Sequence, residues 1–182
     1  MINAAIVGLG WWGQVLVNSV QGKSDKIRFT KGTTRTLSKA EAFAGEKGIE
    51  LVASFEELLA DPDVDAVVLA TPHSVHRPQT EAAAAAGKHV FCEKPFTLYK
   101  EDAEAASAAA EAAGVVLAIG MNRRVNPAFL DLQQRVADNW FGTVLHVEGH
   151  MSAPGIWKYT PGSWRVDRDE CPAGGMTAMG IH

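Results

Sequence analysis

The chain has 182 residues, 47% of them hydrophobic and 21% charged, an ordinary composition that is long enough to bury a core. The formal net charge of −4 argues against a nucleic-acid or acidic-membrane partner, because such a binding face needs a net basic stripe. Cys92 and Cys171 form neither a CxxC pair nor a zinc set, so free thiols in a reducing, cytoplasmic setting are expected. No segment has the roughly 18 consecutive apolar residues of a membrane span. The N-terminal apolar run is soon broken by glycines, which indicates a strand rather than a signal peptide.

Short apolar runs alternate with helical patterns over the first 120 residues. Strands are predicted at 4–8, 27–30, 65–71, 88–92 and 115–120, and helices at about 12–20, 39–47 and 101–113, with an alanine-rich helix that ends near Gly87. A further helix opens at "SFEELLAD", because Ser54 and Glu57 have the spacing of a capping box. Strands of near-continuous Val, Ile, Leu and Ala that are separated by helices predict an α/β fold with a doubly wound parallel sheet.

The pattern changes after Met121. Residues 126–140 predict a helix, residues 142–152 predict a long alternating strand, and residues 153–175 form a loop rich in Gly, Pro and Trp. We therefore expect a first domain over residues 1–120 and the start of a second, α+β domain over residues 121–182. Since the sequence ends at His182 before a second sheet could close, this second part is expected to be incomplete.

The stretch "GLGWWG" contains Gly8, Gly10 and Gly13 in the pattern G-x-G-x-x-G. Glycines permit a tight turn and let the backbone approach a pyrophosphate, which the following helix N-terminus stabilises. The pattern is weak alone, but here it follows the first strand and opens the first helix, as a dinucleotide site requires. A glycine turn that only packs helix on strand is the alternative. Trp11 and Trp12 either line such a site or pack against the protein.

The stretch "HVFCEKPF" runs from a buried strand directly into Glu93, Lys94 and Pro95. In an open parallel sheet, ligands bind beyond the carboxyl ends of the strands, and Lys94 is predicted at the same edge as Gly8 and Thr71. A positively charged nicotinamide and partial burial would disfavour the ammonium form of Lys94, which favours proton transfer or polarisation of a substrate oxygen. A salt-bridged lysine on a surface loop is the alternative.

Six segments together resemble the glucose-fructose oxidoreductase and inositol dehydrogenase family, abbreviated Gfo/Idh/MocA. They occur in family order: "GLGWWG", "ATPHSVH", "AGKHVFCEKP", "GMNRRVNPAF", "SWR" and "GGMTAMGIH". The resemblance implies an N-terminal Rossmann domain and a C-terminal substrate domain whose open sheet joins subunits into a homo-oligomer. It implies NAD(P)-dependent hydride transfer with a small-molecule sugar, polyol or related cyclic alcohol. It also implies a cis peptide bond between Lys94 and Pro95.

The resemblance assigns catalysis to Lys94 and His182. Family members usually carry G-x-x-x-D-x-G-x-H near the substrate, and this chain has Ala178 at the aspartate position but keeps His182. A histidine can act as general base without that carboxylate, so the change points to a different substrate. It also favours the alternative function, a nucleotide-binding regulatory or redox-sensing homologue without turnover.

The remaining site predictions concern the loops after the strands. His73 and His76 lie either beside the cofactor or in a helix-start contact. Arg124 either binds substrate or is a surface charge, while Trp157 and Trp164 line the substrate site or pack. His146 and His150 would lie too far apart along a strand for one metal ion, and no metal site is expected. The predicted cofactor-binding residues are Gly8, Gly10, Trp12, Gly13, Thr33, Thr34, Arg35, Thr71, Pro72, His73, His76, Glu93 and Lys94, and the predicted substrate-binding residues are Lys94, Arg124, Trp164 and His182.

The residues after the second strand predict NADP rather than NAD. NAD sites carry an acidic residue about 20 positions beyond the glycines, and that position falls in "GTTRT", residues 32–36. No acidic residue occurs from Lys26 to Ala40. Thr33 or Thr34 could donate a hydrogen bond to a 2′-phosphate, and Arg35 could bind it through two N–H groups. Lys31 and Lys39 are interpreted as ordinary solvated charges.

Overall fold

The computed structural model describes residues 1–152, 159–160 and 162–181. Two compact units can be distinguished, of which the first spans Met1–Ile119 and the second begins at Gly120. The first unit contains the strands β1 (Ile2–Val7), β2 (Ile27–Thr33), β3 (Glu50–Leu51), β4 (Ala66–Leu69), β5 (His89–Cys92) and β6 (Leu117–Ile119). Its helices are α1 (Trp11–Val20), α2 (Glu41–Lys47), α3 (Phe55–Ala60), α4 (His76–Ala85) and α5 (Lys100–Ala112).

The six strands form one sheet in the order β3-β2-β1-β4-β5-β6, and every pair is parallel. This is the predicted doubly wound arrangement. Successive residues of a strand point to opposite faces of the sheet, and β1 shows the result: Ala4 and Ile6 pack in one core cluster, whereas Ala5 and Val7 pack in the other. Because both faces are covered by apolar side chains, the strands read as continuous apolar runs.

Strand β2 is longer than predicted. It continues to Thr33, which is buried, so that the segment after the strand begins only at Thr34. A 3₁₀ turn at Leu37–Lys39 then leads to α2. Strand β3 was not predicted, and its two residues pair with β2 at Lys31 and Gly32.

The start of α3 confirms the predicted capping box. The backbone N–H of Glu57 donates to the Ser54 hydroxyl oxygen at 3.2 Å. The Glu57 carboxylate in turn accepts a hydrogen bond from the backbone N–H of Ala53 at 2.9 Å, one residue before the cap. Two donors at the helix start are therefore satisfied by side chains.

Lys88 is a buried cation just before β5, with only 8% of its surface exposed. Its ammonium group donates to the carbonyl oxygens of Asp61 and Val64, at 2.7 and 2.8 Å. A buried charge is tolerated only when it is hydrogen-bonded. Lys88 thereby fastens the segment between α3 and β4 to the beginning of β5.

The second unit contains helix α6, Pro127–Ala137, which ends three residues before the predicted boundary. Asn126 caps it, because its side-chain oxygen accepts from the backbone N–H of Ala128 at 3.0 Å. Two 3₁₀ turns lie at Asn122–Val125 and Trp164–Val166, and a π-helical turn lies at Met176–Gly180.

The predicted strand over residues 142–152 is wrong for this structure. Residues 144–152 have no regular secondary structure, and Leu145 and Val147 are 90% and 80% exposed. A strand is stabilised by hydrogen bonds to a neighbouring strand. The described part of the second unit offers no such neighbour, so the alternating pattern alone does not fix the strand. The α+β character of this unit stays a prediction.

Within the described residues, none of the helices combines the length and the apolar composition needed to cross a membrane.

Candidate functional site

The register of the sheet brings four strand ends to one edge. Val7 of β1 pairs with Thr33 on one side and with Leu69 on the other, and Leu69 pairs with Cys92. All these strands are parallel, so the segments after β1, β2, β4 and β5 begin side by side. The strand order reverses between β1 and β4, and open α/β sheets bind ligands in the crevice at such a switch point.

Two of the three glycines of "GLGWWG", Gly8 and Gly13, are required by close backbone packing. Gly8 has φ +96°, and a Cβ atom there would lie 2.6 Å from the carbonyl oxygen of Ala70, just beyond β4. A Cβ at Gly13 would lie 2.0 Å from the carbonyl oxygen of Gly8. Real Cβ atoms essentially never approach this closely, so both positions exclude a side chain. At Gly10, by contrast, a Cβ would meet nothing within 4 Å.

The N-terminus of α1 has the features of an anion site. Gly10 is its N-cap and provides no side-chain hydrogen bond, and the first turn contains no acidic residue. The first helical bond runs from the backbone N–H of Gln14 to the carbonyl of Gly10 at 3.0 Å. The preceding N–H groups have no acceptor within the helix and carry its positive dipole end. Together with the open space beside Gly10, they fit the pyrophosphate of a dinucleotide.

Trp11 and Trp12 differ in their surroundings although their rings lie 5.4 Å apart. Trp11 is 74% exposed, whereas Trp12 is partly buried. The indole N–H of Trp12 is buried and has no hydrogen-bond partner among the described residues.

The segment after β4 begins with Thr71 and Pro72, both half-buried. The Thr71 hydroxyl donates to the side-chain oxygen of Gln79 in α4 at 2.7 Å. This bond fixes the Thr71 side chain beside the Gly8 turn, since a Cβ at Gly8 would also lie 3.3 Å from the Thr71 nitrogen.

The segment after β5 carries Glu93, Lys94 and Pro95. The Lys94–Pro95 peptide bond is cis, as the resemblance implied. Glu93 is only 7% exposed, and its carboxylate accepts a hydrogen bond from the backbone N–H of Lys94 at 3.1 Å. Lys94 itself is half-buried. Its predicted position at the edge of the sheet is therefore confirmed, whereas its catalytic role stays a prediction.

Cys92, the last residue of β5, is a free and fully buried thiol. Burial, with a contribution from the nearby Glu93 carboxylate, raises the pKa of Cys92 to about 12. A thiol that stays protonated is a poor nucleophile. Cys171 is also a free cysteine, as predicted, and it is buried.

His73 and His76 are both buried, and their ring centroids lie 6.0 Å apart. His76 is the first residue of α4 and has no exposed surface. Both of its ring nitrogens lie within hydrogen-bonding distance of backbone carbonyl oxygens. Burial lowers the pKa of His76, although these carbonyls and the Glu93 carboxylate act in the opposite direction. Of the two predicted alternatives, the helix-start contact describes His76.

The segment after β2 holds the residues predicted to select the cofactor. The Thr33 carbonyl accepts a hydrogen bond from the backbone N–H of Gly8 at 2.9 Å. Thr34 is half-buried and Arg35 is exposed. Lys31 forms ion pairs with Asp61 at 2.5 Å and Glu50 at 3.3 Å, and the bond to Asp61 is the main cause that raises the pKa of Lys31. It is therefore an ion-paired residue rather than a simply solvated charge.

The second unit contains the remaining predicted residues. Arg124 is exposed in a 3₁₀ turn. Trp164 is half-buried, and the guanidinium carbon of Arg165 lies 4.1 Å from the centroid of its ring. Ala178 lies in the π-helical turn, whereas Trp157 and His182 lie outside the described residues.

No metal site was found in the part of the chain that the structure describes. His146 lies in the irregular segment rather than on a strand. His150 is exposed and contacts the Glu148 carboxylate at 2.8 Å.

One polar face of α4 was missed by the sequence analysis. His76, Gln79 and Thr80 lie three and four residues apart, so they share one side of the helix. His76 and Thr80 are fully buried, and Gln79 holds Thr71. The available signal was the helical spacing of His76, Gln79 and Thr80 within the polar first half of α4, which also contains Arg77 and Glu81.

Comparisons with known proteins agree with this geometry. Residues 2–121 match the profile of the Gfo/Idh/MocA family, described as an oxidoreductase family with an NAD-binding Rossmann fold. The chain is 32% identical to the 1,5-anhydro-D-fructose reductase of Ensifer adhaerens, over its whole length and 53% of that protein. It is 35% identical to the scyllo-inositol 2-dehydrogenase (NAD(+)) of Bacillus subtilis, over 81% of this chain and 44% of that protein.

A solved structure from Desulfitobacterium hafniense, named as a candidate NADPH-dependent oxidoreductase, superposes with a TM-score of 0.91 at 28% identity. The match covers all of this chain and 52% of that one. The chain thus spans about half the length of the curated relatives described above. The family profile covers most of the chain, including the glycine turn, the segment after β4 and the Glu93–Lys94–Pro95 segment. The chain belongs to the Gfo/Idh/MocA family of oxidoreductases.

Proposed function

We propose that this protein is a nicotinamide-dependent oxidoreductase that acts on the alcohol carbon of a sugar, polyol or related cyclic alcohol. One observation carries the proposal. The Gly8 turn and the uncapped start of α1 lie at the same sheet edge as Thr71 and the Glu93–Lys94–Pro95 segment. A dinucleotide site and an ionisable side chain are thereby adjacent at the switch point, where this class of fold binds its ligands.

Each part of the site has a separate task in this proposal. The backbone N–H groups at the start of α1 bind the pyrophosphate, and the absence of side chains at Gly8 and Gly13 lets the backbone pack closely there. The bound nicotinamide would supply the hydride acceptor. Lys94 would hold or receive a proton at its Nζ atom and polarise the substrate oxygen. His182 would act as a general base, because an imidazole titrates near neutral pH.

A panel of sugars, polyols and cyclic alcohols tests this function. The complete gene product would be mixed with NAD or NADP and each alcohol, and reduced coenzyme would be followed by absorbance. We expect reduction with at least one cyclic alcohol. Coenzyme binding without reduction by any member of the panel would contradict the proposal.

We propose NADP as the preferred coenzyme. The segment after β2 contains Thr34 and Arg35 and no carboxylate that would repel a 2′-phosphate. The relatives named above include an NAD(+) enzyme and a candidate NADPH-dependent one, so the proposal depends on the residues of this chain. Arg35 is exposed and could form two parallel N–H bonds to a phosphate.

The ratio of kcat/KM for NADP and NAD tests this preference. The wild type should favour NADP, whereas Thr34→Asp combined with Arg35→Ala should favour NAD, because a new carboxylate can accept bonds from the ribose hydroxyls. Lys39→Ala serves as a matched control, since it removes a nearby exposed cation outside the proposed contact. A double variant that keeps the wild-type ratio would contradict the assignment.

A second candidate function is a regulatory or redox-sensing protein that binds the dinucleotide without turnover. Ala178 favours it, because family members usually carry an aspartate there. The alcohol panel separates the two candidates, since a sensor binds the coenzyme and reduces none of it.

A further inference from the structure

His76 joins the two backbone segments that hold Thr71 and Lys94. Its Nε2 atom lies 3.0 Å from the carbonyl oxygen of Thr71, after β4. Its Nδ1 atom lies 3.0 Å from the carbonyl oxygen of Pro95 and 3.1 Å from that of Phe96, after β5. These contacts span 5, 19 and 20 residues of sequence.

The ring is placed to fix backbone rather than to react. His76 has no exposed surface, so water does not compete for its hydrogen bonds. All three partners are carbonyl oxygens, which only accept, so each bond requires a proton on the ring. A neutral imidazole has one N–H. Nδ1 faces two carbonyls and Nε2 faces one, so the proton is electrostatically favoured on Nδ1, toward the Lys94 segment.

Two other hydrogen bonds in the Lys94 segment are local. The Glu93 carboxylate accepts from the next residue's N–H, and the Thr97 hydroxyl donates to the carbonyl of Tyr99 at 2.7 Å. Such bonds shape the segment internally, while the backbone N–H of Glu93 donates to the Leu69 carbonyl at the end of β4 at 2.9 Å and fixes the start of the segment. The Nδ1 contacts of His76 act further along the segment, because they join Pro95 and Phe96 to the start of α4.

We propose that His76 is a positioning residue: from the start of α4 it holds the Lys94 segment in place beside Thr71, through a hydrogen bond from Nδ1 to the Pro95 and Phe96 carbonyls. The proposal rests on the proposed function, because it gives the position of Lys94 a catalytic consequence. His76 itself need not touch coenzyme or substrate.

Two amide variants distinguish the contacts of Nδ1 from the contact of Nε2. The side-chain amide of asparagine reaches about as far as Nδ1, so His76→Asn can still donate toward Pro95 or Phe96. The longer glutamine reaches about as far as Nε2, so His76→Gln keeps a contact to Thr71 and loses the one to the Lys94 segment. His76→Leu removes both and keeps an apolar side chain.

Two measurements on the complete gene product test the proposal. Amide hydrogen exchange of residues 93–99, read by mass spectrometry, should accelerate about tenfold in His76→Gln and His76→Leu, and much less in His76→Asn, because local opening exposes amides that the wild type protects. The matched reference is the peptide of α2, which should exchange at the wild-type rate in all variants. The second measurement is turnover: kcat should fall about tenfold in His76→Gln and His76→Leu and much less in His76→Asn. The KM for coenzyme should stay nearly constant, as expected when only the reacting geometry is disturbed.

The results separate the two proposals. If the wild type reduces no coenzyme with any alcohol, the proposed function fails, and hydrogen exchange still tests His76. Equal effects of His76→Asn and His76→Gln would overturn the positioning role, as would unchanged exchange in residues 93–99. Faster exchange throughout the first unit would assign His76 to general packing and would also overturn it. If His76→Leu does not fold, the comparison of the two amide variants still decides.

Discussion

Lys94 is the residue to which we assign proton transfer in the proposed reaction. It is half-buried, and it follows a strand end at the switch point. Its neighbour Glu93 turns its buried carboxylate back to the Lys94 backbone N–H. The carboxylate thus has a structural contact, and the lysine remains the candidate for the chemistry.

Replacement of Lys94 should separate chemistry from coenzyme binding. Lys94→Ala should lower kcat by about 10²-fold or more, the usual effect of losing a positioned acid or base. Coenzyme affinity, measured by fluorescence of the reduced nicotinamide, should change little. Lys100→Ala is the control, because Lys100 is 79% exposed and forms an ion pair with Glu104 within α5. A Lys94→Ala enzyme with near wild-type turnover would contradict the catalytic assignment.

His76 should make the stability of the protein depend on pH. Its pKa is lowered in the folded state, mainly by burial, while the unfolded imidazole titrates near about 6.5. Below that pH and above the lowered pKa, the unfolded chain binds more protons, so the free energy of unfolding decreases as pH falls. The groups that face the ring include Glu93, which favours the charged form, and His73.

Chemical denaturation at pH values from about 8 to 5 measures this dependence. The wild type should lose more unfolding free energy over this range than His76→Gln, which has no proton to bind at that position. Parallel curves for the two proteins would show that His76 does not titrate differently on folding.

The turn that joins β1 to α1 contains Gly13 and Gly10 for two different reasons. Gly13 permits α1 to pack on the turn, because a Cβ there would lie 2.0 Å from the Gly8 carbonyl oxygen. Gly10 has free space around its Cα, and its φ of −70° is accessible to any residue. Gly13 is required by the fold, and Gly10 leaves room at the start of α1.

Alanine substitutions should distinguish these requirements. Gly13→Ala should destabilise the protein by roughly 1–3 kcal/mol, the usual cost of overpacking. Gly10→Ala should leave the thermal midpoint nearly unchanged and weaken coenzyme binding, because its methyl group occupies the space proposed for the pyrophosphate. The measurements are thermal unfolding and coenzyme titration. Equal destabilisation by both substitutions would contradict this division.

Within the molecule, the first unit contains the sheet and the hydrophobic core that an independently folding domain needs. Its two core clusters are drawn entirely from residues before Gly120, one on each face of the six-stranded sheet. The proposed coenzyme contacts also lie in this unit. Arg124 and Trp164, which were predicted to bind substrate, belong to the second unit.

A variant that ends at Gly120 should therefore fold and bind coenzyme without oxidising any alcohol. Its unfolding should be cooperative, since both cores are complete. Its coenzyme affinity should be similar to that of the complete gene product in a direct titration. Loss of cooperative unfolding would show that the first unit depends on the rest of the chain, whereas turnover would contradict the placement of the substrate residues.

The fold of the first unit and the position of its glycine turn could be predicted from the amino-acid sequence. Continuous apolar runs between helices indicate a sheet that is covered on both faces, and β1 packs in both core clusters as this rule predicts. The motif "GLGWWG" directly after β1 marked the glycine turn. The family motifs identified Lys94 and the cis bond to Pro95. These features are local or repeat with a fixed period, so they can be read along the chain.

The contacts between side chains across the site became visible in the three-dimensional structure. His76 contacts carbonyls up to 20 residues away, and Lys88 contacts one 27 residues away, and neither spacing follows a helix or strand period. The same limit explains the error at residues 142–152, where an alternating pattern predicted a strand. A strand depends on a neighbour that pairs with it, and sequence periodicity does not reveal whether that neighbour is in place.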